Sequence, residues 1–215
     1  MVMAAMSLPP LELVPRPLAS SSAPTAAPSV ADAQEAVRTL LRFIGEDPSR
    51  EGLAETPARL VRAWGEYFAG YQQEPAALLG RTFDEVEGYN DLVVLRDIRF
   101  ESHCEHHLAP IIGRVHLAYL PGHRVVGISK LARVVDAFAR RLQVQERMTA
   151  QIAQALHDGL DARAVGVVVV AEHHCMTTRG VHRPGVSMVT RAVRGPDAEA
   201  WRAELLAVLQ PGAAG

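Results

Sequence analysis

The sequence predicts an α+β domain, on three observations. Helical apolar spacing dominates residues 32–72. Between about residues 91 and 195, four apolar, β-branched segments flank two helical stripes in the order strand, strand, helix, helix, strand, strand. A last amphipathic segment spans residues 197–209, and no linker or internal repeat divides residues 32–215 into further domains.

The elements follow in order. Residues 1–31 hold six of the fourteen prolines, many Ala and Ser, and only Glu12 and Arg16 as charges. Such a segment buries too little apolar surface to offset its ordering entropy and is expected to be a disordered tail. From Asp32, Val37, Leu40, Leu41 and Ile44 trace one helical face, with Gly45 placed to cap its end. Thr56-Pro57 opens a second helix with Thr as N-cap, and its stripe is Leu60, Val61, Trp64, Tyr67 and Phe68. These stripes are expected to be core.

Leu92–Glu101 and Arg114–Leu120 read as strands, the second alternating Val115, Leu117 and Tyr119 before the Pro121-Gly122 turn. Ser129 is expected to N-cap a helix with the stripe Leu131, Val134, Val135 and Phe138. A further helix carries Met148, Ile152 and Leu156. Val165–Glu172 and Val186–Val193 complete the strands, and Trp201, Leu205 and Val208 line the last helix.

Composition excludes several classes. With 22 basic against 24 acidic side chains and a net charge of -2, the 215-residue chain has no basic field for a phosphate backbone, so no nucleic-acid partner is expected. The longest apolar run, Ala164–Ala171, is far shorter than the ~20 residues of a membrane span. Prolines interrupt the only candidate secretory segment, so a cytoplasmic location is expected. Two cysteines make no disulfide framework for a chain of this length.

Where those cysteines lie is more informative. Both Cys and five of the nine His fall in Ser102–Leu108 (SHCEHHL) and Glu172–Met176 (EHHCM), each at a strand end. Thiolate and imidazole are ligands that Zn2+ prefers. Cys104 and His107 have C-x-x-H spacing, and with Cys175 they make three ligands, leaving a fourth position for water. His106 and His173 would stand beside it as acids or bases. Buried core cysteines, a redox pair and a Cys-His hydrolase are the competing readings.

A second candidate is Gly127–Arg133. There a helix start adds free amides and a positive dipole end to the cations Lys130, the only lysine, and Arg133. An ordinary capped helix start is its alternative.

With EDPSREGLAETPARL, SHCEHHLAP, VVGISKLARVVDAFARRLQVQERMT and AEHHCMTTRGV in this order, the chain resembles GTP cyclohydrolase I from about Asp47 to Gly195. The resemblance implies a tunnelling fold, with a ββααββ antiparallel sheet and two helices on one face. It also implies a homodecamer of two pentamers with sites between subunits, and zinc-dependent conversion of GTP to 7,8-dihydroneopterin triphosphate and formate. By position, Cys104, His107 and Cys175 resemble the zinc ligands, His106 the acid that assists imidazole opening, and His173 a histidine near the attacked carbon. Ser129 resembles the residue acting at the ribose. Glu146 with Gln145 resembles the guanine-reading pair, and Lys130, Arg133, Arg179 and Arg59 resemble triphosphate contacts. The chain departs from the family pattern at His103, His174, Pro110-Ile111 and Pro196, and His103 or His174 would close the metal site if either were a fourth ligand.

Overall fold

The computed structural model describes residues 28–80, 82–83 and 89–210, so most of the expected tail lies outside the described residues. Two compact units are distinguished, one ending at Pro57 and the other beginning at Ala58.

In the first unit, helix α1 spans Val30–Phe43. It starts two residues before the sequence expectation because Ser29 and Asp32 form a capping box. Ser29 Oγ accepts from the Asp32 amide at 3.2 Å, and the Asp32 carboxylate accepts from the Ser29 amide at 2.8 Å. Gly45, at φ 89°, takes the left-handed conformation that ends the helix. The expectation of a core stripe fails here: Val37 is buried, whereas Leu40 is exposed and Ile44 is 70% exposed. A short helix α2 covers Glu51–Ala54.

Helix α3, Thr56–Tyr67, begins with Thr56 already helical rather than capping. Its stripe is likewise not core in the single chain, since Trp64 and Tyr67 are exposed. A 3-10 turn at Ala69–Gln72 and helix α4, Pro75–Leu78, lead to the two-residue strand β1, Thr82–Phe83.

The remaining elements are β2 (Val93–Cys104), β3 (Pro110–Leu120), β4 (Val125–Val126), α5 (Ile128–Ala139), β5 (Leu142–Gln143), α6 (Gln145–Leu160), β6 (Ala164–His173), α7 (His174–Thr177), β7 (Ser187–Arg194) and α8 (Ala198–Val208). The expected ββααββ order is therefore present. β2, β3, β6 and β7 form a continuous antiparallel sheet, extended by β5 running parallel to the end of β2, while β1 pairs with β4.

Side-chain alternation divides the sheet into two packed faces. Phe100, Val115, Leu117, Tyr119, Val165, Val167 and Val169 meet Leu131, Val134, Val135 and Phe138 of α5 and Met148, Ile152, Leu156 and Leu160 of α6. The opposite face sets Ala118, Leu120, Ala164 and Val168 against Leu205 and Leu209 at the C-terminal helix. Burial on both faces explains why β6 reads as a continuous apolar run rather than an alternation. Each large side chain so buried contributes roughly 1.5–3 kcal/mol.

One irregularity interrupts β2. The register with β3 shifts between Leu95 and Ile98, with Asp97 at φ 60°. There the Asp97 amide donates to Nδ1 of buried His116 at 3.3 Å.

Candidate metal centre

The turn between β2 and β3 carries the first cysteine-histidine cluster. Cys104 O accepts from the Leu108 amide at 2.8 Å, and the Cys104 amide donates to Ala109 O at 2.8 Å. Leu108, at φ 54°, completes this tight reversal. The turn brings His106 Nδ1 and His107 Nδ1 to 3.8 and 3.9 Å from Cys104 Sγ. The cluster's depth is set by β5, which pairs Gln143 with Cys104 and accepts the Glu105 amide at 3.1 Å.

Because β3 pairs with β6 in antiparallel register, Ile111 lies opposite His173, and the end of β6 arrives beside the turn. Cys175, two residues on in α7, joins Cys104 and His107. One ligand atom from each lies within 4.8 Å of the others, and among the described residues these three alone form such a group. Tetrahedral zinc, at its usual distances from sulfur and imidazole nitrogen, would hold an S and an N ligand about 3.6 Å apart, so this donor set fits with little adjustment. Burial and the neighbouring Cys104 sulfur push the Cys175 thiol above its ordinary range. The same crowding of two sulfurs favours a cation between them.

Neither additional histidine closes the group. His103 alternates away from Cys104 along β2, and its ring packs on Tyr67 and Phe68 with centroids 4.9 and 5.2 Å apart. It lines a separate cavity of about 390 Å3 with Glu66, Asp136 and Arg140, and burial holds it below the ordinary imidazole range. His174 begins α7 but is not among the grouped ligands.

Around the three ligands the charged and polar groups are ordered. Glu105 pairs with Arg147 and lies 3.9 Å from His106 Nε2. The Arg179 guanidinium donates to His107 Nε2 at 3.2 Å. His173 Nε2 meets Gln145 Oε1 at 2.7 Å. Burial lowers the His173 pKa, and the nearby Glu146 carboxylate partly opposes that shift. Glu146 itself is exposed at the start of α6.

The structure corrects one sequence expectation here, the cap of α5, and shows what holds Gln145. The Gln145 side chain is fully buried, and its amide donates to Val169 O at 3.2 Å, Met188 O at 3.0 Å and Thr190 Oγ1 at 3.1 Å. Ser129 does not cap α5. Gly127 is the N-cap, no side chain bonds there, and Ser129 is an exposed second helical residue.

Ser129, Lys130 and Arg133 lie on α5 and are not among the grouped ligands. The far end of α5 is tied to the Cys104 end of the sheet, where Ser102 Oγ donates to Arg141 O at 3.4 Å. The start of α5 is one helix length, roughly 18 Å, from that tied end. Arg133 faces a cavity it shares with Gln73, Asp136 and Arg140. Arg59 is exposed on α3. Sequence reading missed Glu105 and Arg147, whose only sequence signal was adjacency to the two histidine and glutamate motifs.

The family described as GTP cyclohydrolase I matches residues 33–210. "GTP cyclohydrolase 1" of Maricaulis maris is 56% identical over 168 residues, covering 78% of this chain and 82% of that protein. The protein of the same name from Allorhizobium ampelinum is 57% identical over 171 residues, covering 80% and 85%. Among solved structures, the archaeosine synthase QueF-Like in the apo form aligns over 50% of this chain and 96% of its own, at 21% identity and a TM-score of 0.42.

Proposed function

Since this chain belongs to the GTP cyclohydrolase I family, we propose that it converts GTP to 7,8-dihydroneopterin triphosphate with release of formate, at a zinc centre held by Cys104, His107 and Cys175. The observation that carries the reading is the convergence of those three ligands with His106, His173 and Glu146 at one end of the sheet. Bound zinc supplies Lewis acidity that makes water a competent nucleophile near neutral pH.

The chain's own residues supply the rest. The Glu146 carboxylate accepts the adjacent N–H groups of the guanine edge, which orients the imidazole ring toward the ligands. His106, exposed beside Cys104, donates a proton to the ring nitrogen released on opening. His173 is the second proton carrier at the attacked carbon. Arg179, with Lys130, Arg133 and Arg59, neutralises the triphosphate, and Ser129 acts at the ribose during its rearrangement.

With the start of α5 a helix length from the end tied to the Cys104 side of the sheet, a contribution of Ser129, Lys130 and Arg133 from another copy is the simpler arrangement, and this supports a homo-oligomer, read as a decamer of two pentamers. The exposed apolar side chains Trp64, Tyr67, Ile128 and Val189 support the same reading. Among the described residues no helix is long and apolar enough to cross a membrane, and we place the protein in the cytoplasm.

The test is incubation of purified, zinc-loaded protein with GTP. Formate and a product that oxidises to a fluorescent pterin are expected in equal amounts. Formate without the pterin would mean that the reaction stops at ring opening. Neither product, with one zinc bound per chain, would overturn the assignment.

A further inference from the structure

Gln145, next to the candidate site, has its amide nitrogen held by three protein oxygens and its Oε1 against His173, and the direction of these bonds can be deduced. Val169 O and Met188 O are carbonyl oxygens and accept only, so the group facing them at 3.2 and 3.0 Å must be the Gln145 amide nitrogen. That assignment is reinforced through two threonines. Thr149 Oγ1 donates to the Gln145 backbone carbonyl at 2.7 Å. Its hydroxyl proton being committed, Thr149 accepts at 2.6 Å from Thr190 Oγ1, which then accepts from the Gln145 amide at 3.1 Å. The polarity of the chain is therefore set from its far end, and a flipped amide would leave two buried carbonyls and a hydroxyl facing an oxygen.

With the nitrogen so fixed, Oε1 is the atom 2.7 Å from His173 Nε2. A carboxamide oxygen cannot donate, so the imidazole must. We propose that Gln145 is a positioning residue: it fixes His173 as the Nε2–H tautomer, leaving Nδ1 as the lone-pair nitrogen of the neutral ring, and takes no part in reading the base. The buried anchor spans three elements, α6, β6 and β7, so the tautomer is held by the sheet rather than by a surface loop. This inference rests on the function proposed above for the role of His173, while the tautomer itself is a property of the protein without substrate.

Two variants of the full-length, zinc-loaded protein and one spectrum test it. Gln145→Met keeps the volume and removes the acceptor. It should lower kcat by about 10–100-fold, the usual cost of losing an outer hydrogen-bond partner, with KM for GTP changed by less than about twofold and zinc content unaltered. Gln145→Glu also presents an oxygen to His173 but sets its second oxygen against the Val169 and Met188 carbonyls, so it should recover only part of the activity lost in Gln145→Met, with KM for GTP again within about twofold. In 15N-histidine-labelled wild-type protein, His173 should show a protonated Nε2 and an unprotonated Nδ1, and this pattern should be lost in Gln145→Met.

A raised KM with unchanged kcat would overturn the proposal in favour of base reading, and so would a wild-type spectrum showing Nδ1–H. Should Gln145→Met fail to fold, the wild-type spectrum still decides. Absence of turnover in the wild type would count against the proposed function alone, because the spectrum tests the tautomer without activity.

Discussion

Zinc uptake by this chain should depend on pH with a slope that counts thiols. Cys104 and Cys175 both lie in the three-ligand group, and each must give up its proton to bind as thiolate. Ordinary thiols titrate near pH 8.5 and ordinary imidazoles are neutral above about pH 7. Between about pH 7 and 8 the protons released on binding are therefore chiefly those of the thiols. Burial and the Cys104 sulfur push the Cys175 thiol up, so it remains protonated in the metal-free protein throughout that window. Two protons displaced per ion make the apparent affinity rise by close to a hundredfold per pH unit, and fall by the same factor as pH drops. Cys175→Ser has a hydroxyl that keeps its proton, and should bind more weakly with the slope reduced to about tenfold per unit. The assay is competition with a chromophoric chelator at several pH values, with released protons counted by calorimetry in buffers of different ionisation enthalpy. A wild-type slope near tenfold would show that only one thiol ligates. An unchanged slope in Cys175→Ser would remove Cys175 from the site.

Three other outcomes are expected. Glu146→Ala should abolish turnover of GTP while zinc content stays at the wild-type level, measured by metal analysis alongside activity; loss of zinc would count against its role as base reader. Ile152→Ala, at a fully buried position of α6 facing the sheet, should cost 2–5 kcal/mol in denaturant unfolding. His116 accepts the Asp97 amide at the β2 irregularity, and burial holds its pKa below the ordinary value. The unfolded chain therefore binds the proton more readily, so this contribution is present above about pH 6.5 and lost as pH falls below it. Thermal melts from pH 7.5 to 5.5 should show a steeper decline in wild type than in His116→Leu.

Much of this architecture is legible in the sequence because its elements are long and periodic. β6 and the stripes of α5 and α6 announce themselves by β-branched runs and 3.6-residue spacing, and both ends of the metal group stand out as Cys-His clusters. What escapes has a physical reason in each case. β5 is two residues long and has no period to detect, yet it sets the depth of Cys104. The stripes of α1 and α3 carry the same pattern as a core helix, but Ile44 and Trp64 lie open, because periodicity reports amphipathicity and not what covers the apolar face. Gln145 reads like its exposed neighbour Glu146, since one residue along a helix turns the side chain by about 100° and separates a buried anchor from a solvent-facing carboxylate. Ser129 looks like a cap by composition, but the helix begins one residue before it.

The two-residue strand β5 has a consequence for how such chains can diverge. It sits in the connection between α5 and α6, a place where surface segments ordinarily accept insertions and deletions at small cost. Here Gln143 is paired to Cys104, the next residue but one is Gln145, and Arg141 is bonded to Gly70 O and Gln73 O on the preceding side. One residue added between Arg140 and Val144 would slide the strand by a register and turn its side chains to the other face. The ligand cysteine and the histidine anchor would then be out of step, however well the rest of the sheet folded. This short connection should therefore be constant in length among functional relatives, even where its side chains drift, and length variation there would mark chains that have lost the reaction.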